Sequence, residues 1–276
     1  MKIKSLENTP IETIVATLSQ AFAGYFVPMP ATTAYWEKRF YMARVDYGLS
    51  FGLFDGDRLA GFIIHGIDCI NGQLTAYNTA TGVIPQYRNA RVIDQLYTTA
   101  LPFLRNIGVK CCTLEVITQN ARAIHVYERI GFQRSAFLRS FKGQLTASGM
   151  PPLCKQVPFP LHHPVMKNQE HLYSWDFKNK ALLLGSDTYT CFEVAHKQQP
   201  IGYYAVNKQS GQIARMDTYN ETQPIHWNYL LEGIAHTTPS VKLVNVSEQR
   251  DKLMNVLVAA GLENFINQYE MKMSLQ

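Results

Sequence analysis

No stretch of the 276-residue sequence approaches the ~18 consecutive apolar residues of a membrane-spanning helix, and the opening MKIKSLENTP has no apolar run behind its lysines. A soluble, unexported, cytoplasmic protein is expected. There is no basic block either: 26 Lys and Arg against 21 Asp and Glu leave +5, spread along the chain, which indicates neither nucleic acid nor an acidic membrane as partner. Charged residues are scarce at 17%, whereas 46% of the chain is apolar, a balance that excludes a disordered tail and fits a globular protein. Cysteines at paired metal-ligand spacing are also missing. Cys69, Cys111, Cys112, Cys154 and Cys191 read as buried thiols in a reducing compartment, and His162 and His163 have no acidic or Cys neighbour at ligand spacing, so no metal site is expected.

Apolar periodicity supplies the elements. Thr9, Pro10 and Glu12 read as a capping box before a helix near residues 10–22, whose apolar residues Ile11, Ile14, Val15, Leu18 and Phe22 share a face. A second helix is expected from Thr32 to about Arg44, with Trp36, Phe40 and Tyr35 on its apolar side. The period then changes to two. Residues 49–54, the turn Asp55, Gly56, Asp57, and residues 59–67 form a hairpin, and residues 73–84 a further strand. A helix through Val92, Leu96, Ala100 and Leu104, the buried strand CCTLEVI, a helix over 120–130 stopped by Gly131, and a strand from Phe132 to Phe141 complete the series.

Pro151, Pro152, Pro158, Pro160 and Pro164 mark 143–164 as a stiff linker. Beyond it, pieces of the first half return in order. Leu59-Ala60-Gly61-Phe62 is echoed by Pro200-Ile201-Gly202-Tyr203, Gly72-Gln73-Leu74 by Gly211-Gln212-Ile213, Val109-Lys110 by Val241-Lys242, and Ile130-Gly131-Phe132 by Ala260-Gly261-Leu262. A nearly constant offset points to a diverged duplication, with domains at 1–142 and 165–276.

Chemistry concentrates in two segments. TGVIPQYRNARVIDQLY, residues 81–97, is a strand, a basic and polar turn, then a helix start, whose free N–H groups and positive dipole end suit phosphate oxygens. LEVITQNARAIHVYERIGF, residues 114–132, is a strand, Asn120, and a helix carrying Tyr127. Together they resemble the GNAT superfamily of acyl-coenzyme A dependent N-acyltransferases, in motif and in element order, over nearly all of residues 1–142.

That resemblance implies an α/β fold with a central mixed, mostly antiparallel sheet flanked by helices, here duplicated in tandem, the first copy active and the second degenerate. It implies acetyl-CoA as acyl donor and direct attack by an amine, with no covalent enzyme intermediate. The family's pyrophosphate turn, (Gln or Arg)-x-x-Gly-x-(Gly or Ala), falls on Arg88, Asn89, Ala90, Arg91, Val92 and Ile93, so both glycine positions depart from the pattern, at Arg91 and Ile93. Arg91 could add a charge-assisted contact to a phosphate. Backbone near Val83 would pair with the pantetheine arm, and Asn120 would bond to the cofactor. Tyr127 matches the tyrosine that protonates the departing thiolate.

Glu115, twelve residues before Tyr127, holds the place of a general base, or of a carboxylate satisfied at a sheet edge; both readings stay open. His125 lies off the Tyr127 face and reads as a surface residue. Tyr25, Phe26, Trp36 and Phe40 lie where the family walls its acceptor site, although core packing is the ordinary role of such residues. The acceptor, a small-molecule or peptide amine, is not legible, since fold does not fix substrate. A non-catalytic acyl-CoA binding or sensing protein is the alternative, a ligand-free scaffold a further one. An exposed sheet edge could pair with a second copy as a homodimer.

Overall fold

A computed structural model describes residues 1–88, 90–159 and 164–275, without the side chains of residues 164, 166 and 167. Asn89, Pro160, His162 and His163 lie outside the described residues.

The chain divides into two compact units, Met1–Ser135 with Tyr269–Gln276, and Ala136–Gln268. These bounds differ from a division at 142 and 165 because they fall within two strands, Gln133–Gln144 and Glu263–Ser274, so that each strand is shared between the units. The first unit contains β1 (Lys2–Ser5), α1 (Ile11–Ala21), α2 (Thr33–Met42), β2 (Phe51–Asp55), β3 (Arg58–Ile70), β4 (Gln73–Val83), α3 (Val92–Asn106), β5 (Cys111–Ile117) and α4 (Ala121–Ile130). β6 (Gln133–Gln144) follows. The second unit continues with β7 (Leu153–Val157), α5 (Pro164–Gln169), α6 (Asn179–Leu184), β8 (Thr190–His196), β9 (Gln199–Asn207), β10 (Gln212–Thr218), α7 (Pro224–Thr237), β11 (Ser240–Ser247), α8 (Asp251–Ala259) and β12 (Glu263–Ser274). From β8 onward this repeats the order β2-β3-β4-α3-β5-α4-β6 of the first half.

In the first unit the strands are ordered β1-β2-β3-β4-β5, and beside β5 lies the end of β12, where the Leu275 N–H donates to the Lys110 carbonyl at 2.9 Å. β4 and β5 are parallel, whereas β1, β2, β3 and β4 pair antiparallel. Alternation along β3 feeds two cores, as strand geometry requires. Phe62 and Ile64 pack with Ile14, Leu18, Trp36 and Phe40 of α1 and α2. On the other face Ile63 joins Leu96, Tyr97 and Ala100 of α3, Ile124 and Tyr127 of α4, and Met271, Met273 and Leu275 of β12. In the second unit the order is β6-β11-β10-β9-β8-β7, with β10 and β11 the parallel pair and Trp227, Leu230, Leu253 and Leu257 of α7 and α8 covering one face.

Several sequence expectations change. β1 has only four residues and little apolar pattern, which hid it. The capping box does not form: Pro10 is itself the N-cap of α1, and no side chain caps that end. Tyr35 is 44% exposed instead of lying on the apolar side of α2. Residues 143–164 are not all linker, because Leu153–Val157 pairs antiparallel with β8 at the sheet edge, where flanking prolines interrupt no inner ladder. Cys69 is exposed, while Cys112 and Cys191 are buried.

Candidate acetyl-transfer site

The parallel ladder of β4 and β5 runs from Thr75 opposite Cys111 to Asn78 opposite Leu114. β4 continues to Val83 and β5 to Ile117 with no further pairs between them among the described residues, so the two strands part. The β3 side of β4 stays paired as far as Val83 opposite Gly61. A bulge accompanies the parting: Asn78 faces His65 and Ala80 faces Ile64, leaving Thr79 as the extra residue. The Thr79 hydroxyl is buried without a hydrogen-bond partner.

At the end of β4 the chain makes a 3-10 turn, Pro85–Tyr87, and enters α3 through Arg91, whose φ of +49° is left-handed. The motif this turn resembles has glycine here, a residue that adopts positive φ freely, whereas in this chain the left-handed conformation falls on an arginine. No side chain caps α3, whose first-turn N–H groups lack intrahelical acceptors. Ala90 and Arg91 are exposed, Val92 is buried, and Ile93 packs against the α3 core. Arg88 does something the sequence did not suggest: its guanidinium donates to the Val83 carbonyl at 3.1 Å and the Ala21 carbonyl at 2.9 Å, fastening α1 to the end of β4. Asp94 in the first turn of α3 is held below the usual carboxylate range by the Arg129 guanidinium of α4, which binds it at 2.8 and 2.6 Å.

Asn120 is the N-cap of α4, its Oδ1 accepting from the Ala123 N–H at 3.2 Å. Its side chain also hydrogen-bonds Tyr25, from the loop between α1 and α2. About two turns further on is Tyr127, buried; Gly131 closes the helix at φ +117°. Burial pushes the Tyr127 phenol up to about 12, with the Tyr25 hydroxyl adding to this and hydrogen bonds to Thr81 and Asn78 opposing it. Asn78 in turn donates to Tyr97 Oη and accepts from Thr81 Oγ1, both at 2.8 Å. Glu115 accepts the Tyr77 hydroxyl at 3.2 Å. His125 is exposed. Trp36 and Phe40 are core residues at 4% and 1% exposure, whereas Phe26 is 53% exposed beside Tyr25.

Tyr127, Asn120 and Tyr25 are thus brought together where β4 and β5 part, and Asn78, Thr81 and Tyr97 join them. Sequence reasoning missed these last three. The available signal was the polar run YNTAT inside a strand otherwise buried on both faces.

The second unit parts its parallel strands in the same way, since β10 and β11 pair at Gln212 and Lys242. There the gap is filled. Tyr173 lies between the guanidiniums of Arg215 and Arg250, at 3.8 and 4.8 Å from its ring centre, and donates to Asp217 at 2.8 Å. Arg250, the N-cap of α8, reaches Met216 O at 2.8 Å and Asp217 Oδ1 at 2.6 Å. What remains beside Tyr173, Arg215 and Arg250 is a cavity of about 20 Å³, room for about one water.

Among the described residues no helix is long and apolar enough to cross a membrane, and no cluster of His, Cys, Asp and Glu could hold a metal ion. The sequence model of the Acetyltransferase (GNAT) family matches residues 15–132. N-alpha-acetyltransferase 30 of Schizosaccharomyces pombe is 31% identical over 86 residues, which are 31% of this chain and 57% of that protein, so the match spans little more than half of that relative. The fold resembles a tandem GNAT protein from the clavulanic acid biosynthesis pathway (TM-score 0.69, 14% identity, 100% of this chain and 99% of that one). It also resembles a GCN5-related N-acetyltransferase from Sphaerobacter thermophilus (TM-score 0.70, 11% identity, 100% and 96%). Residues 15–132, which include the parting parallel strands β4 and β5 of the first unit, are thus similar in sequence to the GNAT family of acetyltransferases, and the fold is similar to that of GNAT proteins.

Proposed function

We propose that the first unit moves an acetyl group from acetyl-CoA to a primary amine, and that the second unit neither binds the donor nor catalyses. The observation that carries this reading is the placement of a buried phenol, Tyr127, beside the parting of β4 and β5. The residues suit an acyl-CoA in two ways: the β5 side of β4 beyond Asn78 has no ladder partner, and the orphaned Thr79 hydroxyl lies on that stretch. Val83 backbone, Ala90, Arg91, Val92, Ile93 and Asn120 would hold it. Arg88, already engaged with Val83 and Ala21, shapes the turn rather than meeting a phosphate.

When bound, acetyl-CoA supplies the acetyl thioester. Tyr127 then holds the proton that a departing thiolate requires, and with a pKa of about 12 it keeps that proton throughout neutral pH. Glu115, hydrogen-bonded to Tyr77, serves as the base that takes the proton of the incoming ammonium, directly or through water. The likeness to an N-alpha-acetyltransferase favours the α-amine of a peptide as acceptor, and the exposed Phe26 next to Tyr25 offers an apolar contact for its first side chain. Purified protein incubated with labelled acetyl-CoA and a panel of peptides, polyamines and amino acids should label an amine. Binding of acetyl-CoA with no labelled product would favour the sensing alternative, and no binding would contradict both.

A further inference from the structure

The bulge at Thr79 has a consequence for Tyr127. Residues three apart on a regular strand point to opposite faces, yet Asn78 faces His65 and Thr81 faces Ile63, two residues of β3 that share a face. The extra residue therefore turns Asn78 and Thr81 to the same side, toward α3 and α4. Asn78 is buried there: Oδ1 accepts from Thr81, Nδ2 donates to Tyr97 Oη, and the side chain also hydrogen-bonds Tyr127.

We propose that Asn78 and Thr81 are positioning residues for Tyr127, aimed by the bulge so that the phenol directs its proton away from β4 and its oxygen is met by two hydrogen-bond donors once that proton has gone. The inference rests on Tyr127 being the general acid. Thr81 carries a single hydroxyl proton between Asn78 Oδ1 and Tyr127 Oη. While Tyr127 keeps its proton, Thr81 donates to Asn78, as in this structure at 2.8 Å. When the Oη–H bond breaks, the proton passes to the departing sulfur and the electron pair stays on the phenolate. Thr81 then rotates its hydroxyl to that oxygen, and Asn78 Nδ2 donates a second hydrogen bond. Both side chains act through the phenol, so loss of the Thr81 hydroxyl lowers turnover without weakening donor binding.

The test uses the full chain, acetyl-CoA, and a library of peptides with free α-amines and blocked lysines as acceptor probe, with coenzyme A release followed chromatographically. Thr81→Val keeps the shape of the side chain and removes the hydroxyl. It should lower kcat roughly 10-fold to 100-fold, the loss expected for a hydrogen bond to a charged group, and leave KM for acetyl-CoA unchanged. Thr81→Ser, which restores the hydroxyl, should recover the parent rate. In a Tyr127→Phe background, Thr81→Val should add nothing. A parent-like kcat in Thr81→Val, or the same loss with and without the Tyr127 hydroxyl, would overturn the positioning role while leaving the acid in place. Full turnover in Tyr127→Phe, or no coenzyme A release by the parent protein, would overturn the acid reading and this inference together.

Discussion

Asn120 and Arg250 hold corresponding places, each the N-cap of the helix that follows the second parallel strand of its unit. Asn120 turns back on its own helix and bonds Ala123, whereas Arg250 reaches forward to Met216 and Asp217 on β10. One side chain caps its helix at the parting of β4 and β5, and the other spans the parting of β10 and β11. The same contrast separates the buried Tyr127 of α4 from Leu257, the seventh residue of α8 as Tyr127 is of α4.

Arg250 and Asp217 form a buried pair at 2.6 Å, with side-chain exposures of 5% and 0%. Removing one partner leaves the other charge uncompensated in the interior. Arg250→Ala should therefore lower the unfolding free energy by about 3 to 5 kcal/mol, read by chemical denaturation. A change of a few tenths would mean that water, or the Tyr173 and Tyr203 hydroxyls that both donate to it, satisfies Asp217 without the arginine.

The end of the chain is structural for the first unit. Met271, Met273 and Leu275 belong to the same core as Tyr127, and Met273 Sδ lies 3.3 Å from where a side chain on Gly131 would begin. Met271→Ala, at a position with 0% exposure, should cost about 2 to 5 kcal/mol in chemical denaturation. Preserved stability would show that β12 contributes little to that core.

His65 is fully buried, its Nδ1 donating to the Leu49 carbonyl at 2.8 Å, and burial lowers its pKa from 6.5 to about 4. The native state thus resists a proton that the unfolded chain accepts. Stability from this group is complete above pH 6.5 and falls as pH drops toward about 4, by a total on the order of 3 kcal/mol. His65→Asn keeps a donor near Leu49 and removes the titration. Its unfolding free energy should decline less between those pH values; an unchanged decline would assign it to other groups.

Arg91 joins a left-handed backbone to a charge at the start of α3, and two substitutions separate them. Arg91→Gly relieves the backbone and should be neutral or stabilising by about 1 kcal/mol in thermal unfolding. Arg91→Ala keeps the strain, and loss of a charged contact to phosphate should weaken acetyl-CoA by about 1.5 to 3 kcal/mol in calorimetry. Tighter binding by Arg91→Gly than by the parent would mark the side chain as an obstruction.

Much of the first unit was legible because its signals are local. Asn120 and Gly131 bracket α4 as the sequence indicated, and the Asp55-Gly56-Asp57 turn joins β2 to β3. What escaped depends on contacts distant in sequence. Nothing in QYEMKMSL says that these residues complete the core around Tyr127. The bulge at Thr79 is a mismatch between two strands, visible only once both are paired. Arg88 matched a motif position, but the carbonyls it binds, at Val83 and Ala21, are positioned by the fold. In the second unit, the sequence alignment already sets Leu257 and Arg250 opposite Tyr127 and Asn120. That Tyr173 and two arginines lie between its parallel strands could not be read there.

The proposed function requires that the first unit admit the donor and that the second, whose strand gap is already filled, exclude it. Isothermal titration of the full chain with acetyl-CoA measures this directly. It should give one equivalent per chain, with affinity reduced in Arg91→Ala and unchanged in Leu257→Met, a volume-conserving change in the second unit. Two equivalents, or none, would contradict it.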